Sequence, residues 1–235
     1  MIPKIIHQIW IGPNKRPDIW MDTFKKEYIK SNPEWEYILW TDDNIYELFD
    51  AFPLMFKIYT IESTYNGKSD LLRYLILYKY GGIYIDADSV WINNKSFNNL
   101  LLEVNNSDFF LAHQAKSVLL CGGVLGSSKK NKYIQKIIDE IENMVKRSDD
   151  KIYLKDYTRT WKLPQHAWRR VGPGLLTRLY KNNCEITIFP SIYFYPHGWH
   201  DKYRNIDTHT KVDLPKESYT YQYGYTTNNL KKYFL

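Results

Sequence analysis

A chain of 235 residues, 44% of them hydrophobic, carries enough apolar material for one substantial core. Its two cysteines, Cys121 and Cys184, exclude a disulfide framework and are expected to be buried or inert thiols. The net charge of +6 is uneven, with fifteen Lys or Arg against six Asp or Glu between Lys116 and Lys181, and no stretch approaches the roughly 18 continuous apolar residues of a membrane span.

The early apolar stretch is interrupted by Pro3, Lys4, His7 and Gln8 and is followed by Asn14-Lys15-Arg16-Pro17 with no small-residue cleavage site. It reads as a buried strand over 4–10, not a signal peptide. Further strands are predicted over 36–40, 83–86, 108–112, 119–126 and 185–189, and helices over 18–30, 43–50, 69–80, 132–147 and 173–181. No repeat or low-complexity linker interrupts them, so 1–235 reads as a single α/β domain with a mostly parallel sheet. Such sheets bind ligands beyond the carboxyl ends of their strands. Trp10 and Asp86 both fall at such ends and are expected to converge on one cleft.

In the predicted helix over 69–80, Ser69 can act as N-cap, Asp70 complements the dipole and Gly81 ends the helix. Asp70 and Arg73, at i and i+3, share a side. They can form a surface salt bridge, or act as hydrogen-bonding clamps for sugar hydroxyls. After Gly81-Gly82 comes the apolar run Ile83-Tyr84-Ile85, then Asp86-Ala87-Asp88. In extended backbone, i and i+2 lie on one face, so Asp86 and Asp88 can point into one cleft, with Tyr84 on their side and Ala87 toward the core. Paired carboxylates at a strand mouth suit Mg²⁺ or Mn²⁺, hard ions that complete their shell with a substrate's phosphates. Surface turns are also rich in Asp, and Tyr84 can equally serve sheet packing.

Downstream, Cys121-Gly122-Gly123 allows close backbone approach to a ligand, or marks a bulge. Val171-Gly172-Pro173 opens a late helix whose N–H groups can face an anion, and Arg169 and Arg170 before it either reach an acceptor or are solvated. The basic half reads as a solvated face or as a surface that meets a diphosphate, a lipid-linked acceptor or an anionic leaflet. No recognition motif accompanies the charge, so nucleic acid is not expected as a partner.

Ser69-Asp70-x-x-Arg73-Tyr74, then Gly81-Gly82-x-Tyr84, then Asp86-x-Asp88, in that order, resemble the sugar-binding region of the DXD-motif glycosyltransferases. The opening Ile2–Gly12 and the segment Asn32–Trp40 are similar to the first two strands of glycosyltransferase family 32, and the resemblance covers about residues 1–92. It implies a GT-A fold, Rossmann-like, with a nucleotide-sugar part over about 1–126 and an acceptor-side part over about 127–235. The implied activity is metal-dependent hexosyl transfer, with retention, from a nucleotide-diphosphate-sugar to a glycan or lipid-linked glycan. A UDP-sugar is preferred over GDP-mannose as donor. Separately from the resemblance, the two unpaired cysteines point to a reducing compartment, so a cytoplasmic location is expected, with any membrane association peripheral. Asp88 would bind Mn²⁺ or Mg²⁺ directly and Asp86 through water or through ribose and sugar hydroxyls. Trp10 would stack on the base, as its flat indole allows, or else belong to the core or rim. Asp70, Arg73 and Tyr84 would complete the donor site.

The family often places a His-rich strand near the metal, whereas the comparable stretch here is Ser218–Tyr225. Gln222 stands there as a poor replacement for imidazole, with His197, His200 and His209 as other candidates. Two other classes stay open. A metal-dependent phosphoryl-transfer enzyme or nuclease also uses paired carboxylates, but typically with further acidic ligands close by, and none lies between Asp88 and Glu103. A non-catalytic sugar-binding or nucleic-acid-binding module is supported by 21 tyrosines, eight tryptophans and the basic half.

Overall fold

The computed structural model describes residues 1–92, 94–114, 118–146, 167–197, 214–226 and 230. A six-stranded sheet has the order β2-β1-β3-β6-β5-β7. Its strands are β1 (Ile5–Ile9), β2 (Glu36–Trp40), β3 (Gly82–Ile85), β5 (Phe109–His113), β6 (Leu120–Ser127) and β7 (Thr187–Phe189). β1 pairs parallel with both β2 and β3, and β5 pairs parallel with β7; β6 alone runs antiparallel to its neighbours β3 and β5. The sheet is therefore mostly parallel, as expected, and each of its strands falls within two residues of a predicted one.

Alternation along the strands sends side chains to two separate cores. Phe109 and Leu111 of β5, with Tyr84 of β3, join the core that contains the central helix; Phe110 and Ala112, with Ile83 and Ile85, join the core on the other face. Both faces are thus covered, which is why these strands read as near-continuous apolar runs. The helices are α1 (Asp18–Asp22), a π-helical segment (Thr23–Tyr28), α2 (Ile29–Ser31), α3 (Pro53–Ile61), α4 (Tyr65–Tyr80), α5 (Phe97–Leu102) and α6 (Lys132–Lys146). Ala167–Arg170 and Pro173–Tyr180 are also helical. Among the described residues no helix is long and apolar enough to cross a membrane.

Several expectations change. Of the predicted helix over 43–50 only a 3₁₀ turn, Tyr46–Phe49, forms, while α3, α5 and Ala167–Arg170 were not foreseen. The central helix begins four residues before Ser69: Thr64 is its cap, its hydroxyl accepting from the Gly67 N–H at 3.1 Å. Asn66-Gly67 disguises this first turn, since neither residue favours a helix interior. At the other end the chain leaves α4 through Gly81 (φ +69°) and Gly82 (φ +97°), where a side chain on Gly82 would meet the Ile5 carbonyl at 2.6 Å.

This turn is tied to the sheet by His7 of β1. Trp40 Nε1, a donor only, lies 3.1 Å from His7 Nδ1, so the ring proton is on Nε2, which donates to the Gly81 carbonyl at 2.8 Å. Burial holds the His7 pKa down at about 4, and the ring is neutral in the folded state. A second, two-stranded sheet joins β4 (Ser89–Trp91) antiparallel to β8 (Thr220–Gln222), with Ser89 opposite Gln222.

Candidate active site

β1 and β3 are parallel neighbours, so their carboxyl ends open at one edge, and the residues beyond them line a cleft of about 770 Å³. Trp10, Asp70, Arg73, Tyr84, Asp86 and Asp88 all face it. The convergence expected of Trp10 and Asp86 is realised.

The carboxylates converge by a route other than the expected one. The strand ends at Ile85, and Asp86–Ser89 is a turn, closed by the Ser89 N–H donating to the Asp86 carbonyl at 3.0 Å. Extended i, i+2 geometry therefore does not hold between Asp86 and Asp88. Chain segments distant in sequence aim them instead. The Tyr84 hydroxyl donates to Asp86 Oδ1 at 2.7 Å, the Gln222 amide nitrogen donates to Asp86 Oδ2 at 2.8 Å and to Asp88 Oδ1 at 2.9 Å, and the Tyr225 N–H donates to Asp88 Oδ2 at 2.6 Å. Gln222, named from the sequence as a poor replacement for imidazole, thus bridges the two carboxylates through its amide nitrogen. Among the described residues no third carboxylate, imidazole or thiol joins them. His200 and His209 lie outside the described residues. The donor set that does converge is all oxygen, the chemistry that suits Mg²⁺ or Mn²⁺.

Beneath the aspartates lies a buried cation. Arg73 Nη2 is 3.1 Å from Asp70 Oδ1 and 3.3 Å from Asp86 Oδ1; Nη1 donates to the Gly122 carbonyl; and the guanidinium sits 4.5 Å over the Tyr84 ring. The pair is buried, with Asp70 6% and Arg73 5% exposed, so it is not a surface salt bridge, and both residues still line the cleft. Burial lifts the Asp70 pKa to about 7 against the pull of Arg73. Burial also pushes the Tyr84 phenol well up, which keeps it a proton donor to Asp86.

The glycines of β6 make this packing feasible. A side chain on Gly122 would meet Arg73 Nη1 at 2.8 Å, and one on Gly123 would meet Asp86 Oδ2 at 2.7 Å. The close approach read from Cys121-Gly122-Gly123 is therefore to the protein's own site residues. Likewise Gly172, at the start of the Pro173–Tyr180 helix, packs against Asp70, whose Oδ2 is 2.6 Å from the place a side chain would take.

Trp10 stands on the cleft wall. Its Nε1 donates to the Asn14 carbonyl at 2.9 Å, and its ring meets Tyr225 edge-on at a centroid distance of 5.3 Å. Trp168, a residue the sequence reading passed over, also lines the cleft and is 39% exposed. Arg170 is not solvated: it is buried and paired with Glu62 at 3.0 Å, while Arg169 is exposed and lies 5.1 Å from the Trp168 ring. Of the two thiols, Cys121 is buried at the cleft and Cys184 is exposed.

Residues 17–109 match the family model of the glycosyltransferase sugar-binding region containing the DXD motif. The DXD motif is Asp86-Ala87-Asp88, inside that region, whereas Trp10 and Gln222 lie outside it. Inositol phosphoceramide mannosyltransferase 3 of Schizosaccharomyces pombe is 42% identical over 88 residues, 37% of this chain and 24% of that protein. The chain spans about a quarter of the length of the fission yeast relatives it matches. A glycosyltransferase of Acanthamoeba polyphaga mimivirus is 29% identical over 202 residues, 83% of this chain and 74% of that one. The ligand-free glycosyltransferase domain of the YGT toxin aligns at a TM-score of 0.53 and 12% identity, covering 76% of this chain and 78% of that one. The PaToxG glycosyltransferase aligns at 0.51 and 20%, covering 76% and 70%. The fold is GT-A.

Proposed function

We propose that the protein is a metal-dependent glycosyltransferase that moves a hexosyl group from a nucleotide-diphosphate-sugar to a glycan or lipid-linked glycan, with retention of configuration. The observation that carries this reading is the meeting of Asp86 and Asp88 at the mouth of a deep cleft, over a buried Arg73, with Trp10 on the wall. Asp88 and Asp86 would hold Mn²⁺ or Mg²⁺, whose charge would neutralise the diphosphate as it leaves. Trp10 offers its indole face to the base. Asp70 and Arg73 meet the donor sugar from the cleft floor, and Tyr84 orients Asp86 through its hydroxyl. Residues before 127 supply the donor side; Trp168 and its neighbours supply the acceptor side. The fission yeast relatives are named for mannosyl transfer to inositol phosphoceramide, which supports a mannosyl donor beside the UDP-sugars and a lipid-linked acceptor.

The test is a panel of UDP-sugars and GDP-mannose, each incubated with the protein and Mn²⁺ without acceptor, scoring nucleotide diphosphate release. One donor should be hydrolysed, and chelation should stop it. Asp88→Asn should lower that rate on the order of a hundredfold or more with an unchanged circular dichroism spectrum. Absence of metal-dependent release across the panel, or a folded Asp88→Asn variant of normal activity, contradicts the reading.

A further inference from the structure

Every carboxylate oxygen of the aspartate pair already accepts a hydrogen bond from the chain, and Gln222 supplies two of these bonds with one amide group. Its Nε2 bridges Asp86 Oδ2 and Asp88 Oδ1 at 2.8 and 2.9 Å, the place between the two carboxylates that a shared cation would take. The other amide atom, Oε1, has no hydrogen-bond partner among the described residues, although Gln222 is only 5% exposed. A buried carbonyl oxygen without a partner is costly, and in a native structure it calls for a ligand or a functional reason. The two amide atoms exchange places by a half-turn about the terminal side-chain bond. That turn would bring a neutral, hard oxygen between Asp86 and Asp88 in place of the N–H donor.

Resting on the reading that Asp86 and Asp88 bind a divalent cation, we propose that Gln222 is the third protein ligand of that site. In the metal-free chain its amide nitrogen stands in for the cation; in the loaded chain Oε1 faces the ion. Pairing of β8 with β4 sets Gln222 opposite Ser89, one residue beyond Asp88, so the backbone is already placed for either orientation. An amide oxygen in this position keeps the donor set all oxygen, which favours Mg²⁺ and Mn²⁺, whereas an imidazole there would favour later transition metals.

Mn²⁺ binding to the nucleotide-free protein, followed by the electron paramagnetic resonance of free Mn²⁺, tests this without any turnover. Gln222→Met, which keeps the length of the side chain and removes the oxygen, should weaken Mn²⁺ binding on the order of tenfold to a hundredfold. Gln222→Glu should restore it and show a larger Mn²⁺-induced rise in Tm than wild type, because three carboxylates repel one another without the ion. Gln222→His should raise the ratio of Co²⁺ to Mn²⁺ affinity. Metal-free melting curves check that each variant is folded, and the Glu and His variants decide the question if Met does not fold. Equal or tighter Mn²⁺ binding by a folded Gln222→Met variant overturns the proposal, the tighter case marking Gln222 as a competitor of the ion. An unchanged metal preference in the His variant also overturns it, as does the absence of saturable Mn²⁺ binding to wild type at millimolar concentration. If the metal results hold while no nucleotide-sugar is turned over, the ligand assignment stands and the glycosyltransferase reading falls.

Discussion

At the scale of single residues, Trp10 shows how a strand end becomes a wall. The indole is fixed at two points, through Nε1 to the Asn14 carbonyl and edge-on to Tyr225, and it borders the cleft rather than filling the core. Trp10→Ala should cost roughly 1–3 kcal/mol of nucleotide affinity, taking base stacking on aromatic side chains as the guide. Trp10→Phe should recover part of it. Calorimetric titration of nucleotide diphosphate into both variants, beside their denaturation curves, checks this; unchanged affinity in the folded alanine variant would show that the ring is only a rim residue. The sequence led to Trp10, Asp70, Arg73, Tyr84, Asp86 and Asp88 because all six lie within its first 88 residues, at strand ends or on one helix. It did not lead to the role of Gln222, whose bond to Asp88 spans 134 residues. A signal was nevertheless present: Tyr219, Tyr221, Tyr223 and Tyr225 alternate with Thr220, Gln222 and Gly224, the period of a strand.

At the scale of elements, Arg73 is what joins α4 to β3 and β6. One guanidinium reaches Asp70 on its own helix, Asp86 beyond β3 and the Gly122 carbonyl on β6, and lies over the Tyr84 ring. Arg73→Ala should therefore lower unfolding free energy by about 3 kcal/mol, since it leaves buried carboxylates without their counter-charge. Arg73→Lys should fall between, because a point charge cannot serve three acceptors as a planar fork does. Urea titrations of the three proteins measure this. A loss below about 1 kcal/mol for the alanine variant, the magnitude of an exposed pair, would mean the contacts add little to the fold. From the sequence the i, i+3 spacing of Asp70 and Arg73 was clear, but not their burial. Burial follows from Gly122 and Gly172, which let the opposing backbone close over the pair, and nothing in the local sequence shows which segments those glycines will face.

At the scale of the molecule, His7 links stability to pH. Its folded pKa of about 4 lies below the ordinary value of 6.5, so between these limits the unfolded chain binds the proton and the folded chain does not. Stability from the neutral ring is thus complete above pH 6.5 and is lost as pH falls toward 4. His7→Gln should be less stable than wild type at pH 7, and by pH 4.5 the difference should shift by about 2 kcal/mol in favour of the variant. Denaturant unfolding at the two pH values measures it, and a pH-independent difference would mean that the ring does not resist protonation. The six strands of the main sheet, their mostly parallel order, the carboxylate pair beyond a strand end and the edge of the sheet at which the cleft opens were legible in the sequence alone, because apolar periodicity, Gly-Gly breaks and strand-end carboxylates are local patterns. Which atoms hold Asp86 and Asp88 together, why Asp70 and Arg73 are buried, and that β8 closes the site were decided only by the tertiary structure. These depend on contacts between segments separated by up to 137 residues, which no local pattern encodes.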